Sequence, residues 1–543
     1  MKNVWRSLPL ALLFAACTSQ QQVDTLVINA KIYTVDDAFT IAEAMAVKDG
    51  KILATGTTAK LQKKYTSGNV VNAEGKFVYP GFIDAHAHFA GYAIGLQTAN
   101  LTGTKSWEEI IEIVKTFAAS HPEGWIIGRG WDQNDWPVKQ FPGNDILNQL
   151  FPDRPVILTR VDGHAAIANA KALETGGIKA GQQLTGGEIE VKNNRLTGIL
   201  IDNAIGLVTS HIPEMSTEKY QQLVLEAQQN CFAMGLTTID DCGLSYQEME
   251  FLKNMQDKGD LKMRLYVMLS DSPANFDYLK KSGIIKTDRM HVRSFKVYGD
   301  GALGSRGASL LADYSDRPGY KGFLLSAPEH FDSVAAWISE NNFQMCTHAI
   351  GDSGNRTILN VYEKYLQGKN DKRWRIEHAQ VVHPNDFQLF GKNSIIPSVQ
   401  PTHATSDMYW AEERLGSERV KGAYAFRQLL NENGWVALGT DFPVEDISPF
   451  ATFLAASFRK DASGYPSTGY QTENALTPEQ TLRGMTIWAA KSNFEENEKG
   501  SLEAGKWADF IILDKDLLTA GEKEILKIKV LNTFLAGEKV YGN

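Results

Sequence analysis

The chain has 543 residues, of which 43% are hydrophobic and 22% are charged, and its formal net charge is −9 at pH 7. This length exceeds what one ordinary hydrophobic core supports, so we expect two or three domains, one of which can be a large barrel. The acidic balance and the lack of a basic cluster argue against a nucleic-acid partner.

The N-terminus has the pattern of an export signal, which we assign to residues 1–17. Basic residues precede the apolar run Leu8–Ala16, which is too short to span a membrane. The run ends at Cys17 before a polar stretch, and this ending resembles the lipobox of bacterial lipoproteins, in which the cysteine is lipidated. We expect an exported bacterial protein, anchored by lipid at the periplasmic face or cell surface. Ordinary secretion with cleavage near Ala16 is the alternative.

Three further cysteines, Cys231, Cys242 and Cys346, are scattered along the chain. Their odd number and irregular spacing fit neither a disulfide framework nor a zinc ribbon. We interpret them as buried thiols. A bridge between Cys231 and Cys242 is the alternative, and it requires a geometry that sequence cannot establish.

Both ends of the chain have the pattern of a small β structure. Residues 23–79 contain short predicted strands separated by Asp, Gly and Lys turns, and residues 498–543 repeat this pattern. Because the two ends share the same pattern of short strands and turns, we predict that together they form one composite β-sandwich.

Residues 80–99 and 211–497 alternate helical patterns with short, nearly continuous apolar strands. This alternation is typical of parallel βα units that are buried on both faces. Eight candidate strands are present: Phe82 to His88, Leu236 to Asp240, Met263 to Leu269, Val292 to Tyr298, Gln344 to His348, Arg375 to His378, Ile395 to Gln400 and Trp435 to Thr440. The fold class is therefore α/β, with a (β/α)8 TIM-like barrel whose chemistry lies at the C-terminal ends of the strands.

A long insertion follows the first predicted strand. Residues 100–210 contain an amphipathic helical pattern at Trp107 to Ala119 and several Gly- and Pro-rich segments. A structureless loop of this length is uncommon inside a compact domain. We therefore predict an inserted α+β lobe that covers the barrel as a lid.

Polar side chains cluster at the C-terminal ends of the predicted barrel strands. His86 and His88 end the first strand with i, i+2 spacing, so both side chains point to the same face and can converge on one divalent cation. An isolated pair of this kind is more often only a polar strand end. Other strand ends carry Lys296, His348, His378 and Asp441. The complete set is far more specific for a metal site than any one member.

Lys296 lies in a strand that is otherwise suited to burial, where an unpaired ammonium is strongly disfavoured. The lysine must be paired, deprotonated or modified. In an aldolase-type barrel it would form a Schiff base with the substrate. The neighbouring histidines and aspartate favour the other interpretation, carboxylation by carbon dioxide to an anionic ligand that can bridge two metals.

Several motifs carry a resemblance to a known family. Its Pro-Gly-x-x-Asp-x-His-x-His motif and its later strand motifs stand here as Pro80 to His88, Lys296 to Gly304, His348, Glu377-His378 and Asp441. More specific marks are Gly130 to Gln133, Asp162 to His164 and Gly186 to Glu188. With these motifs nearly all of the mature chain resembles the amidohydrolase superfamily, in its amidohydrolase-3 (YtcJ-like) branch.

The resemblance implies a metal-dependent hydrolase with one or two divalent ions, zinc first, with manganese or iron as alternatives. His86 and His88 would bind one metal, and Lys296 would be carboxylated and shared. His348 and His378 would bind the second metal. The ligand Asp441 would pass the proton of the attacking hydroxide to the departing amine.

The expected reaction is hydrolysis of a non-peptide carbon–nitrogen bond in a small-molecule substrate, such as an N-acyl, N-formyl or cyclic amide. His164, Arg306 and Asp132 would line the substrate side, with Arg306 as a carboxylate clamp; a structural role is an equal alternative for each. Ester, lactone or phosphoester hydrolysis would use the same site. A non-catalytic ligand-binding surface lipoprotein is the alternative from a different class. An exposed lobe edge would allow a homodimer.

Overall fold

The computed structural model describes residues 20–542. The predicted signal peptide and the lipidation site Cys17 lie outside this range. Within it, none of the helices combines the length and the apolar character that a membrane span requires. Cys231, Cys242 and Cys346 are all buried free thiols, as predicted.

Eight parallel strands form a nearly closed barrel at the centre of the chain, as the sequence predicts. In chain order they are β1 (Phe82–Ala87), β2 (Leu236–Leu244), β3 (Arg264–Ser270), β4 (Met290–Tyr298), β5 (Gln344–Ala349), β6 (Arg375–His378), β7 (Ile396–Val399) and β8 (Ala437–Leu438). A short strand, Ile285–Lys286, pairs antiparallel with β4. The strands are buried on both faces because helices cover the barrel, which explains their continuous apolar sequences.

The barrel closes through the residues that follow β8. Asp441 N donates to His86 O at 2.7 Å, and His88 N donates to Phe442 O at 2.9 Å. Strand β8 is shorter than predicted: Gly439 N still donates to Val399 O of β7 at 3.1 Å, and the chain beyond it makes the bonds with β1. Gly439 is required there, since a Cβ at this position would lie 2.5 Å from His86 N.

Helices follow the strands and begin at recognisable caps. Ser216, Ser245 and Ser272 each accept a hydrogen bond from a backbone N–H in the first turn of the next helix. The helices around the barrel are Phe89–Gly95, Thr217–Ala233, Tyr246–Asp257, Pro273–Ser282, Pro328–Glu340, Asp352–Leu366, Phe387–Lys392, Pro401–Asp407, Ala411–Arg419, Phe426–Asn433, Pro449–Phe458, Pro478–Gly484 and Ile487–Ser492. Short 3-10 turns lie at Gln133–Asp135, Val420–Gly422 and Thr472–Asn474.

Between β1 and β2 the chain forms a separate six-stranded sheet. Its strands, in spatial order, are Ala99–Asn100, Ile126–Trp131, Val156–Arg160, Ala165–Ala168, Arg195–Asp202 and Gly187–Lys192. Its helices are Trp107–Ser120, Asp145–Leu150, Ala170–Thr175 and Asn203–Thr209. The two faces of the sheet pack into two different hydrophobic clusters. This sheet occupies the range predicted for the inserted lobe; its independence as a lid stays a prediction.

The two chain ends form two mixed sheets that share one apolar cluster containing Val27, Met45, Phe510 and Phe534. One sheet has the order Lys51–Gly56, Ala44–Lys48, Thr25–Ile28 and Asn69–Asn72. The other has the order Glu538–Tyr541, Val530–Leu535, Phe510–Leu513, Phe77–Pro80, Lys31–Tyr33 and Ile41–Ala42. A strand pair Gln21–Gln22 and Tyr65–Thr66 and the helices Thr58–Lys64 and Glu522–Ile525 complete this part. The predicted boundaries of the sandwich and of the other domains stay predictions.

Candidate active site

The C-terminal ends of the barrel strands surround one cavity of ≈ 1220 Å³. Side chains from the barrel and from the sheet between β1 and β2 line it together. Predicted site residues on its wall are His88, Asp132, His164, Lys296, His348, His378 and Asp441. His86 lies directly behind this wall, fully buried, with its Nε2 3.0 Å from Lys296 Nζ.

His86 is held in one orientation by a buried ion network. Its Nδ1 donates to Glu377 Oε2 at 2.6 Å, because a carboxylate only accepts. Glu377 in turn lies 2.7 Å from Arg375 Nε, and Arg375 Nη1 donates to Asp240 at 2.9 Å. Burial raises the pKa of Glu377, but Arg375 and His86 outweigh it and lower that pKa below its ordinary value. The arrangement leaves His86 Nε2 unprotonated and directed toward Lys296.

Two more imidazoles are fixed in the same way. His88 Nδ1 donates to Cys242 O at 3.0 Å, and His378 Nδ1 donates to Gln400 Oε1 at 2.6 Å. In each ring Nδ1 carries the proton and donates the hydrogen bond, so Nε2 has a free lone pair. This is the arrangement that orients histidines toward a metal.

Two buried atoms at the centre of the site have no hydrogen-bonding partner within residues 20–542. They are His348 Nε2 and Asp441 Oδ1. Burial, and after it the neighbouring His378 and His164, lower the pKa of His348 well below its usual value, so the ring is neutral at pH 7. A neutral imidazole and an ionised carboxylate oxygen, both buried and unpaired, are costly without a partner.

The donor atoms fit a divalent cation. His86, His88 and Asp441 offer ligand atoms within 4.8 Å of one another, and so do His378, His403 and Asp441. Asp441 belongs to both groups, and its oxygen Oδ1 lies 3.2 Å from His88 Nε2. Imidazole nitrogen with carboxylate oxygen is the donor set that suits zinc, manganese and iron.

His403 is a member of this cluster that the sequence analysis missed. It lies on the helix Pro401–Asp407 directly after β7, where its Nε2 donates to Asp441 Oδ2 at 3.3 Å and its Nδ1 lies 2.9 Å from Glu445 Oε1. The signal was present: a polar run beginning at Gln400 follows an apolar strand, as at the other strand ends. A strand-end search that stops at the last strand residue does not reach a side chain on the next helix.

The backbone at the site is held in unusual conformations. His378 has φ 73° and Asp441 has φ 65°, a region that few residues other than glycine adopt. Asp84 helps to hold the second of these, because its two oxygens accept from Thr440 N at 2.9 Å and Thr440 Oγ1 at 2.6 Å. A carboxylate on β1 thereby positions the residue next to Asp441.

The remaining predicted site residues divide into two groups. Asp132 is held by Arg160, and His164 is held by Asp202 with its ring 5.0 Å from that of His348, so both belong to the cavity wall. Arg306 is not brought to this wall. Its guanidinium pairs with Asp316 at 2.8 Å, which leaves it poorly placed to hold a substrate carboxylate.

Comparison with known proteins agrees with this geometry. The profile of the amidohydrolase family matches residues 69–541. The chain belongs to the amidohydrolase family. It is 32% identical to the protein LONG AFTER FAR-RED 3 of Arabidopsis thaliana, over 95% of this chain and 91% of that protein. It is 26% identical to the N-substituted formamide deformylase of Arthrobacter pascens, over 95% of this chain and 98% of that protein.

A solved structure is similar over most of the chain. It is an uncharacterized metal-dependent hydrolase from Pyrococcus horikoshii, which is 28% identical, with a TM-score of 0.75 over 92% of this chain and 99% of that one. Family membership and the donor set together identify this amidohydrolase as a metal-dependent hydrolase with a divalent-metal site.

Proposed function

We propose that this amidohydrolase hydrolyses a non-peptide carbon–nitrogen bond in a small-molecule amide. The observation that carries the proposal is the pair of unpaired buried atoms, His348 Nε2 and Asp441 Oδ1, among histidines whose outer nitrogens are already anchored. Similarity to a formamide deformylase supports an amide as the bond that is cleaved. Ester and lactone hydrolysis have no comparable support.

The proposed ligands are His86, His88 and Asp441 for one ion, and Lys296, His348 and His378 for a second. His403 offers a ligand atom within 4.8 Å of those of His378 and Asp441, so it is a further candidate ligand beside His378. Zinc is the metal proposed first. When bound, such a cation lowers the pKa of water toward about 7 and polarises a carbonyl.

Asp441 is the proposed proton carrier. Burial raises its pKa, but the hydrogen bond from His403 and the adjacent imidazole of His88 outweigh this effect and hold the pKa well below its ordinary value. The carboxylate is therefore ionised at pH 7 and can accept a proton from the attacking water. It then delivers the proton to the leaving nitrogen, which departs as a neutral amine.

Lys296 is the proposed carbamate. Its neutral amine would add to the carbon of carbon dioxide, and the nitrogen would lose one proton to yield an anionic carbamate. Support comes from its burial, with 1% exposure, and from His86 Nε2 at 3.0 Å. A protein grown and kept in 13C-labelled bicarbonate would show a carbamate carbon signal by NMR, and Lys296→Ala would lack it. A Schiff base trapped with substrate by borohydride would contradict the carbamate.

Metal analysis with turnover tests the function. Purified protein without residues 1–17 is compared with His86→Ala and Lys296→Ala, and with His211→Ala as a control for an exposed histidine. We expect about two metal equivalents and hydrolysis of some N-acyl or N-formyl amides, both lost in the two site variants only. Binding of only one metal equivalent would show that Lys296 does not bridge two metals. No metal after supplementation with zinc, manganese or iron would overturn the proposal.

Export and lipidation at Cys17 are proposed from the sequence alone. Labelling of the full chain with a radioactive fatty acid in a bacterial host, next to Cys17→Ser, tests them. Label in the parent chain that the variant lacks would support a lipid anchor. A soluble, unlabelled periplasmic product cleaved near Ala16 would instead support ordinary secretion.

A further inference from the structure

Two arginines from neighbouring strands, Arg129 and Arg160, reach the cavity wall, and their partners differ. Arg160 is saturated: its guanidinium pairs with both Asp132 and Asp162. Arg129 donates from Nη2 to Val161 O at 3.1 Å. Within residues 20–542 it has no carboxylate partner at ion-pair distance, and its buried Nε has no hydrogen-bonding partner. Of these two arginines, Arg129 is therefore the one without a direct ion pair to a carboxylate among residues 20–542.

The Arg129 guanidinium borders the space next to the metal-binding groups. It lies against Gly163, where an added Cβ would be 3.3 Å from Nη2 and 3.6 Å from Nη1. Gly163 adjoins His164, whose ring lies 5.0 Å from the ring of His348 and is tilted by 36° to it. An anion held by Arg129 would therefore lie in the same cavity that His348 and Asp441 line.

The carboxylates near Arg129 already have other partners. Asp162 forms an ion pair with Arg160. Asp441 accepts a hydrogen bond from His403 and lies 3.2 Å from His88 Nε2. Burial lowers the pKa of Arg129, while the charges of Asp441 and Asp162 raise it. A cation desolvated in this way is unfavourable until an anion approaches, and a planar guanidinium suits the two oxygens of a carboxylate.

We propose that Arg129 binds the carboxylate of the substrate, so that the preferred substrates are N-acylated amino acids, which carry a carboxylate next to the scissile amide. This inference rests on the proposed amide hydrolysis and narrows its substrate class. It moves the role of carboxylate clamp from Arg306, which pairs with Asp316 outside the cavity wall, to a residue that the sequence patterns did not single out.

The test uses matched substrates. A panel of N-acetyl- and N-formyl-amino acids is compared with the corresponding carboxamides, which keep the shape and lack the charge. Metal-loaded wild type is compared with Arg129→Gln, Arg129→Lys and Arg306→Gln. Arg419→Gln is the matched control, because Arg419 is another half-buried arginine that has no carboxylate partner and lies outside the cavity wall.

Wild type should prefer acids over carboxamides in kcat/KM, and Arg129→Gln should lose about 10- to 100-fold on the acids only. Arg129→Lys should lose less kcat/KM on the acids, since lysine keeps the positive charge but lacks the planar guanidinium that can bind both carboxylate oxygens. Arg306→Gln and Arg419→Gln should retain the preference for acids. Equal kcat/KM for acids and carboxamides in wild type, or loss of the preference in Arg306→Gln but not in Arg129→Gln, would overturn the inference.

Binding separates failure of the inference from failure of the proposed function. Ketone isosteres of the N-acetyl-amino acids, in which CH2 replaces the amide NH, cannot be hydrolysed and are titrated calorimetrically. If wild type hydrolyses only uncharged amides, amide hydrolysis stands and the role of Arg129 is wrong. If no amide is hydrolysed, tight binding of the acid isostere that Arg129→Gln weakens would still support the anion site, and equal binding would overturn it.

Discussion

Two layers of buried charge lie on top of each other in this barrel, and they differ in how completely they are paired. In the lower layer Asp240, Arg375 and Glu377 each have an opposite charge within 2.9 Å. In the upper layer the distances are longer: Asp441 lies 3.2 Å from His88 Nε2 and 3.3 Å from His403 Nε2, and His348 Nε2 lies 3.9 Å from Asp300 Oδ1. Both layers carry the cost of desolvation, but the fold pairs the charges of the lower layer more closely.

The difference separates groups that support the site from groups that act in it. The lower layer anchors His86 from beneath, and none of its three residues lines the cavity. The upper layer would gain close partners when a cation or substrate enters. Substitutions that affect one layer without the other should therefore separate loss of stability from loss of activity.

Asp441→Asn should have the largest effect on activity. The amide keeps the size of the side chain but cannot carry the proton, so kcat should fall by about 10²- to 10⁴-fold. Stability should change less than activity, because the amide keeps an oxygen that can accept the hydrogen bond from His403. Steady-state turnover and urea unfolding of the same preparation measure both. A variant with near-normal kcat would show that Asp441 does not move the proton.

Glu377→Gln should affect both properties. Arg375 would lose one of its two buried carboxylates, which we expect to cost about 3–5 kcal/mol of unfolding free energy. His86 would also lose its charged acceptor, which should weaken metal binding by about 10- to 100-fold. Urea unfolding and competitive metal titration check these values.

Asp240→Asn is the matched control for that variant. It removes the other carboxylate of Arg375 but leaves the bond between His86 and Glu377 intact. It should lower stability with little change in metal affinity. Equal loss of metal affinity in both variants would show that His86 is oriented by the whole network and not by Glu377.

Asp516→Asn should have the smallest effect and should change stability alone. Asp516 joins the chain ends, accepting from Lys31 at 2.8 Å, Tyr33 at 2.8 Å and Tyr79 at 2.7 Å, far from the cavity wall. We expect a loss of about 1–3 kcal/mol at pH 7, toward the lower value because Lys31 is 39% exposed. Turnover per folded molecule should be unchanged.

The stabilising contribution of Asp516 should also depend on pH. Burial raises the pKa of Asp516, but the bonds from Lys31, Tyr79 and Tyr33 lower it below its ordinary 3.8. The unfolded chain therefore binds the proton at a higher pH than the folded chain, so the contribution is complete above about pH 5 and declines as the pH falls below about 4. Unfolding curves at pH 7, 5 and 3.5 should show that the difference in unfolding free energy between wild type and Asp516→Asn decreases only at pH 3.5.

The sequence alone determined the barrel and most of the polar side chains that surround its cavity. Most barrel strands are short, largely apolar runs that end in a polar residue, and this pattern arises because parallel strands are buried on both faces and end at a common edge. Local spacing therefore sufficed to predict that His86, His88, Lys296, His348, His378 and Asp441 converge. The family resemblance rested on these positions.

Only the tertiary structure decided which charges are left without a partner. His403 reaches Asp441 from a helix, and Arg129 reaches the cavity from a sheet that lies between β1 and β2, so no local spacing connects them to the site. Arg306 had a suggestive position along the chain, yet it pairs with Asp316 outside the cavity wall. Whether a buried charge acts or merely supports depends on what lies within a few ångströms of it, and that is set by packing between distant segments.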